Sequence, residues 1–223
     1  ILSYNKVKRF IPRNAPTMYL GPKYSNDDIL YELKKNNLKY KKIKNPEKYL
    51  AKKLDQGLVV ACFQGRMEFG PRSLGNRSIL ASACDKSVND WLNKKLKRTE
   101  FMPFAPITIK KFANKMYKKL NNKNKAVKYM TITTECTNIA AKISPAAVHV
   151  DKTARPQIIK KDDNKRIYKI LNEYFKISKI PSLINTSFNV HEEPIVCSPN
   201  DAIRAYKTSK IDYLFVGDYI VER

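Results

Sequence analysis

The stretch 65–78 combines the residue types best suited to holding an anion close to the backbone. It contains three of the chain's six glycines and three of its ten arginines: Gly65, Gly70, Gly75, Arg66, Arg72 and Arg77. Glycine permits positive φ and lets a ligand approach the backbone closely. The planar guanidinium group of arginine binds phosphate or carboxylate in a bidentate manner. This stretch directly follows an apolar run, so it predicts an anion-binding loop at the end of a strand.

A purely structural turn, in which the arginines pair with Glu68 and nearby acids, is the alternative for this stretch. The usage of arginine favours binding, because 34 of the 44 basic residues are lysine. Half of the arginines lie in three segments with other polar features: Arg66, Arg72, Arg77, Arg98 and Arg155. In a chain that otherwise uses lysine, arginine is therefore found at positions where a planar, bidentate guanidinium group would be useful.

Three further segments carry groups that suit a phosphorylated ligand. Residues 96–106 place Lys97 and Arg98 at the end of a predicted helix, before a turn bracketed by prolines. These two cations also suit the helix dipole, which is the commoner reason for them. Residues 153–157 contain one fixed cation, Arg155. Residues 184–190 leave an apolar strand and offer amide and hydroxyl groups, which can bind phosphate oxygens or a urea-like carbonyl and amine, or else stabilise a polar turn: Asn185, Thr186, Ser187 and Asn189.

The formal net charge of +24 is typical of proteins that bind nucleic acid. The excess is carried by lysine, which favours a solvated basic surface over a nucleic-acid site. No apolar run approaches the roughly 20 residues needed to cross a bilayer. The four cysteines are far apart and only two histidines accompany them, so we expect no zinc site and a reducing cytoplasm. The chain begins with Ile1 and has no signal-peptide pattern, and we interpret it as part of a longer protein.

Apolar periodicity and turn residues predict alternating strands and helices. We expect strands at 58–63, 105–109, 129–134, 180–185 and 213–216. We expect helices at 26–33 with Asn26 as the cap, at 46–54 with a stop at Gly57, and at 88–97, 167–175 and 199–206. This alternation predicts an α/β fold with a mixed sheet. Residues 1–45 are interpreted as a linker or the tail of a preceding domain, and 46–223 as the main domain.

The four polar segments, in this order, resemble the carboxyl-terminal domain of the NodU/CmcH-type carbamoyltransferases. The resemblance runs from about residue 50 to residue 219, and its most specific part is 65–80, GRMEFGPRSLGNRSIL. It also includes 193–196 and 198–202, and residues 19–22 are similar to the family's link between two domains. The resemblance implies a YrdC-like fold, a twisted mixed sheet with flanking helices around a basic cleft.

The family also implies an activity. Its carboxyl-terminal domain forms carbamoyl adenylate from ATP and carbamoyl phosphate, usually with Mg²⁺. An amino-terminal actin-like domain, which holds iron or a similar metal, then transfers the carbamoyl group to a hydroxyl of a small-molecule acceptor. We therefore expect that domain of the same enzyme as the partner of this one, and we expect no metal site within this chain.

Carried over by position, the resemblance assigns roles to seven residues. Arg72 and Lys97 are the expected catalytic residues, Lys97 stabilising charge at the activated centre. The expected ATP and carbamoyl phosphate contacts are Arg72, Arg77, Arg155, Asn185, Ser187 and Asn189. The chain departs from many relatives, which have arginine at the positions of Thr99 and Met102, and Arg98 is the candidate substitute.

Two other functions remain open at the level of sequence. A nucleic-acid-binding module fits the net charge, and salt sensitivity would distinguish it. A threonylcarbamoyl-adenylate synthase acting in tRNA modification fits a YrdC-like fold. The ordered 65–80 and 184–190 segments favour the carbamoyltransferase over both.

Overall fold

A mixed eight-stranded sheet forms the centre of the protein. The computed structural model describes residues 17–96, 104–120, 125–190 and 193–223. The described strands are β1 (Tyr40–Lys42), β2 (Val60–Phe63), β3 (Arg77–Ala81), β4 (Ala105–Ile109), β5 (Thr134–Glu135), β6 (Thr153–Ala154), β7 (Gln157–Ile159), β8 (Ser182–Ser187), β9 (Tyr213–Val216) and β10 (Tyr219–Glu222). The main sheet has the order β1-β10-β9-β2-β3-β8-β4-β7, while β5 and β6 pair with each other. Strand β2 runs parallel to β9 and β4 parallel to β7, and the other pairs in the main sheet are antiparallel.

Helices cover both faces of this sheet. The described α-helices are α1 (Asn26–Lys35), α2 (Pro46–Asp55), α3 (Ser87–Lys95), α4 (Ala113–Met116), α5 (Asn138–Ile143), α6 (Lys165–Ser178) and α7 (Pro199–Thr208). Short 3₁₀ turns occupy Lys110–Phe112, Lys125–Lys128 and Pro145–Ala147. Helices α2 and α6 share one apolar core with the sheet, whereas α1, α3 and α7 share the core on the opposite face. The predicted mixed α/β fold with flanking helices is confirmed.

Burial on both faces explains the continuous apolar runs that predicted the central strands. Along β8, Leu183 packs into the core of α2 and α6, while Ile184 packs into the opposite core. All four residues of β2 are buried. Each large aliphatic side chain that is fully buried in this way contributes about 1.5–3 kcal/mol of transfer free energy.

Local sequence sets the helix boundaries. Helices α1 and α7 start at capping boxes formed by Ser25 with Asp28 and by Ser198 with Asp201. The predicted cap at Asn26 was therefore one residue late. Helix α2 starts with Pro46, as predicted, because proline lacks an N–H that this position does not use.

The strand predictions agree with the structure at some positions and fail at others. The strands at 105–109 and 213–216 are confirmed with the same bounds, and those at 58–63 and 180–185 are shifted to Val60–Phe63 and Ser182–Ser187. The strand at 129–134 is wrong, because a turn with Met130 at φ 53° interrupts it and only Thr134 joins a strand, β5. Strand propensity does not fix a segment that has no pairing partner.

Part of the predicted linker, residues 1–45, contacts the main domain. Strand β1 pairs antiparallel with β10, and α1 packs against α7. The structure thus places 26–42 on the same body as the residues from 46 onward.

Candidate functional site

The polar segments singled out from the sequence meet at one end of the sheet. Strand β2 ends at Phe63, which is paired with Arg77 at the start of β3. Strand β8 ends at Ser187, opposite Ser78. Strands β4 and β7 begin at this same end, because β4 is antiparallel to β8 and parallel to β7. The loop 64–76, the residues before β7 and the residues after β8 are therefore neighbours in space.

A buried carboxylate organises the loop from within. One oxygen of Glu68 accepts hydrogen bonds from the backbone N–H groups of Leu74 (2.6 Å), Asn76 (2.7 Å) and Arg77 (3.3 Å). Burial raises the pKa of Glu68, while the backbone donors act in the opposite direction. The sequence alternative, in which Glu68 pairs with the loop arginines, is not what the structure has. Glu68 instead closes the loop on itself.

The three arginines of the loop point to three different places. Arg77 is fully buried, stacks on Phe63 at 3.7 Å from the ring centroid, and donates to the carbonyls of Gln64 (2.7 Å) and Asn76 (3.1 Å). Arg66 donates to the carbonyl of Gly21 (3.1 Å) and lines a cavity of about 600 Å³ beside α1 and α6. The contacts of Arg77 with Phe63, Gln64 and Asn76 make it a structural residue at the base of the loop. Its guanidinium does not line the cavity that contains Arg72. The expected phosphate contact at Arg77 is thus at odds with its placement.

Arg72 lies in a second cavity together with Arg155. This cavity, of about 430 Å³, is otherwise largely apolar, and its lining includes Met18, Leu74 and Tyr129. Within the described residues neither arginine forms an ion pair. Burial and the nearby positive charge of Arg72 both lower the pKa of Arg155. Two half-buried like charges that face one cavity are a favourable place for an anionic group.

Asn185 lies beneath the loop rather than in this cavity. Its amide nitrogen donates to the side chain of Gln157 (2.7 Å) and to the carbonyl of Ser73 (3.4 Å). Gln157 in turn donates to the carbonyl of Leu74 (3.0 Å). Among the described residues, Asn185 Oδ1, Ser73 Oγ and Arg155 Nε are buried without a hydrogen-bond partner. Asn185 thereby joins strand β8 to Ser73, the residue next to Arg72. The three buried polar atoms without a partner lie on Asn185 itself, on Ser73 and on Arg155.

The other predicted site residues lie either outside the cavity of Arg72 and Arg155 or outside the described residues. Ser187 is half-buried at the end of β8, and Asn189 donates to the carbonyl of Glu193 (2.8 Å). Neither lines the cavity of Arg72 and Arg155. Lys97 lies outside the described residues, as do Arg98, Thr99 and Met102.

Comparison with solved structures defines the class of fold. The full-length HypF structure titled as the phosphate- and nucleotide-bound form matches 82% of this chain and 22% of its own chain, with a TM-score of 0.56 and 18% identity. The HypF of T. kodakarensis matches 76% of this chain and 20% of its own, with a TM-score of 0.52 and 19% identity. At these identities the likeness concerns the fold alone.

Comparison with sequences defines the family. The family model described as "Carbamoyltransferase C-terminus" matches residues 51–223, and this chain belongs to that family. Nodulation protein NolO of Bradyrhizobium diazoefficiens is 33% identical over 225 residues, which are 98% of this chain and 41% of that protein. The 3'-hydroxymethylcephem-O-carbamoyltransferase of Streptomyces clavuligerus is 27% identical over 195 residues, which are 87% of this chain and 36% of that enzyme. The chain thus spans well under half the length of these relatives.

Several residues that shape the site were not predicted from the sequence. Gln157, Ser73 and Tyr19 act through hydrogen bonds to other segments, and a single sequence carries no signal for partners so far apart.

In the described part of the chain, no helix is both long and apolar enough to cross a membrane.

Proposed function

We propose that this domain binds ATP and carbamoyl phosphate and joins the carbamoyl group to AMP as carbamoyl adenylate. The observation that carries the proposal is the pair Arg72 and Arg155, two half-buried cations at one cavity with no ion-pair partner among the described residues. Membership of the carbamoyltransferase family supports it. The phosphate- and nucleotide-bound form of HypF, a protein of similar fold, is consistent with such ligands.

The proposed reaction converts carbamoyl phosphate, ATP and water into carbamoyl adenylate, pyrophosphate and phosphate. The phosphoryl group of carbamoyl phosphate passes to water, which leaves a carbamate oxygen as the nucleophile. This oxygen forms a bond to the α-phosphorus of ATP, and the bond from that phosphorus to the pyrophosphate oxygen breaks. Negative charge develops on phosphoryl oxygens, so fixed cations are the most effective stabilising groups.

In this proposal Arg72 and Arg155 hold the phosphate groups from the cavity side. Lys97 stabilises the developing charge. Asn185, Ser187 and Asn189 lie outside that cavity, at or just beyond the end of β8, and are the proposed contacts of the adenylate. The buried and unpartnered Oδ1 of Asn185 is an acceptor suited to the N–H₂ of a carbamoyl group. Arg77 serves the site indirectly, because it anchors the loop that carries Arg72.

Mg²⁺ is also part of the proposal, as a companion of ATP. Within the described residues there is no group of three His, Cys, Asp or Glu side chains able to enclose a metal. The lining of the Arg72 and Arg155 cavity contains no carboxylate. Mg²⁺ commonly keeps several waters and binds through substrate phosphates, so the described residues do not fit a dedicated protein site for it.

Transfer of the carbamoyl group is proposed to occur on an amino-terminal domain of the same enzyme. Such a domain would hold iron or a similar metal and bind a small-molecule acceptor through its hydroxyl. Relatives much longer than this chain, one of them named as an O-carbamoyltransferase, support this division of labour.

Exchange of labelled pyrophosphate into ATP tests the proposal. We expect exchange that depends on carbamoyl phosphate, in this chain or in the full-length enzyme that carries it, and a strong reduction in Lys97→Ala and Ser187→Ala. A duplex RNA competitor is included at moderate salt. No exchange in the full-length enzyme, together with tight RNA binding, would reject the proposal in favour of a nucleic-acid-binding module.

A further inference from the structure

Residues 17–22, which we call the strap, run alongside the first half of the loop. Three backbone hydrogen bonds join them: Gly21 N–H to the Met67 carbonyl (3.0 Å), Met67 N–H to the Pro22 carbonyl (2.9 Å) and Phe69 N–H to the Met18 carbonyl (2.6 Å). The approach is so close that a Cβ on Gly21 would lie 2.8 Å from the Cβ of Met67. The strap is therefore paired with the loop like an added strand.

The side chain of Tyr19 extends this contact to the far end of the loop. Its hydroxyl donates to the carbonyl of Leu74 (3.0 Å) and accepts from the amide of Asn164 (3.4 Å), the N-cap of α6. Burial raises the pKa of Tyr19, so the hydroxyl keeps its proton for donation. One phenol thus connects the strap, the end of the loop and α6.

The residue that Tyr19 holds is two positions from Arg72. Leu74 lines the same cavity as Arg72 and Arg155, and Met18 of the strap forms part of its wall. The Leu74 carbonyl has a second donor, the side chain of Gln157 (3.0 Å), which reaches it from β7. Tyr19 and Gln157 therefore fix this turn from two directions.

From these contacts we infer that Tyr19 is a positioning residue for the anion site, and that the strap is a wall of the site as well as a connection to preceding residues. The Tyr19 hydroxyl holds the turn at Leu74 so that Arg72 faces the cavity shared with Arg155. The identity of the bound anion rests on the proposed function. The role of Tyr19 in fixing the loop 64–76 is independent of the proposed function.

The test compares Tyr19→Phe with Tyr206→Phe in this chain. Tyr206 is a matched control, because its hydroxyl also donates to a backbone carbonyl, that of Asp212 (3.4 Å), away from the loop. It is buried, whereas Tyr19 is half-buried, so the control loses at least as much packing. Amide hydrogen exchange of 64–76 is measured without ligand, and ATP and pyrophosphate are titrated separately. We expect Tyr19→Phe to speed exchange in 64–76 and to weaken ATP binding about three- to tenfold, the effect of losing the hydrogen bond that holds Leu74.

A merely structural role would give the same result for both tyrosines, namely lower thermal stability with unchanged ATP affinity. Unchanged exchange in 64–76 for Tyr19→Phe would overturn the inference, as would an ATP affinity within twofold of the parent's. Gly21→Ala is the second variant, and we expect it to speed exchange in 64–76 as well. If the parent binds neither ATP nor pyrophosphate while both strap variants still speed exchange, the proposed function fails and the positioning of the loop stands.

Discussion

Replacing Arg72 with methionine is expected to weaken ATP binding without weakening the fold. Methionine keeps an unbranched apolar stem against the cavity wall and removes only the guanidinium group. Among the described contacts, the Arg72 side chain makes no hydrogen bond or ion pair that this change would break. Arg155, which lines the same cavity, is a like charge that interacts with it.

Affinity and stability should therefore move in different directions. Loss of a charge-assisted contact to phosphate removes roughly 1.5–3 kcal/mol, which corresponds to an increase in Kd of about 10- to 150-fold. The free energy of unfolding should stay the same or rise by less than about 0.5 kcal/mol, because repulsion between two partly exposed cations is relieved.

Calorimetric titration with ATP and urea denaturation measure the two quantities. Arg204→Met is the control, since Arg204, on α7, forms a surface ion pair with Glu193 and lies outside the cavity. It should leave Kd within twofold. An Arg72→Met protein that binds ATP like the parent would refute the assignment of the cavity. A loss of more than about 1 kcal/mol in stability would mean that Arg72 has a structural partner.

Three further outcomes follow from the packing of the loop. Arg77→Met should lower the free energy of unfolding by roughly 3 kcal/mol, because it removes a buried cation that donates to four backbone carbonyls and leaves these acceptors without that donor; a loss in urea denaturation no larger than that of Arg72→Met would contradict this role. Gly75→Ala should cost about 2 kcal/mol, since Gly75 has φ 116° and a Cβ there would lie 2.6 Å from Ile167 Cγ1; an unchanged melting temperature would oppose it. Burial raises the pKa of Glu68 in the folded protein. The stability that this shift contributes to the free energy of unfolding is complete below the unfolded pKa of about 4.3, and it is lost as pH rises through the folded pKa. Glu68→Gln should remove that loss from a plot of urea midpoint against pH, and an identical slope in both proteins would exclude it.

Patterns local in sequence predicted the mixed sheet and most of its longer strands. The buried runs that became β2 and β9 are apolar or aromatic over their whole length, and β4 is interrupted only by Thr108; this signal needs no knowledge of the partner strands. The Gly/Arg, amide/hydroxyl and Arg155 segments follow or precede such strands. The antiparallel pairing of β4 with β8, with β7 parallel to β4, brings these segments to one edge, and the local patterns do not predict that pairing.

The separate roles of the loop arginines were beyond this kind of reasoning. Arg72 and Arg77 both fit the same pattern of glycines and fixed cations. They differ because β3 begins at Arg77, whose side chain shares a sheet face with Ile79 and lies on Phe63. The alternation of Arg77 with Ile79 and Ala81 is a signal in the sequence that Arg77 belongs to a strand and not to the loop.

Direct detection of the intermediate tests the central claim. The full-length enzyme, or this chain alone, is mixed with ATP and isotope-labelled carbamoyl phosphate, quenched rapidly and analysed by mass spectrometry. We predict a carbamoyl adenylate that carries the label, that is lost in Arg72→Met and that persists in Arg204→Met. Formation of ADP, or of AMP with no labelled adenylate in the full-length enzyme, would contradict the account.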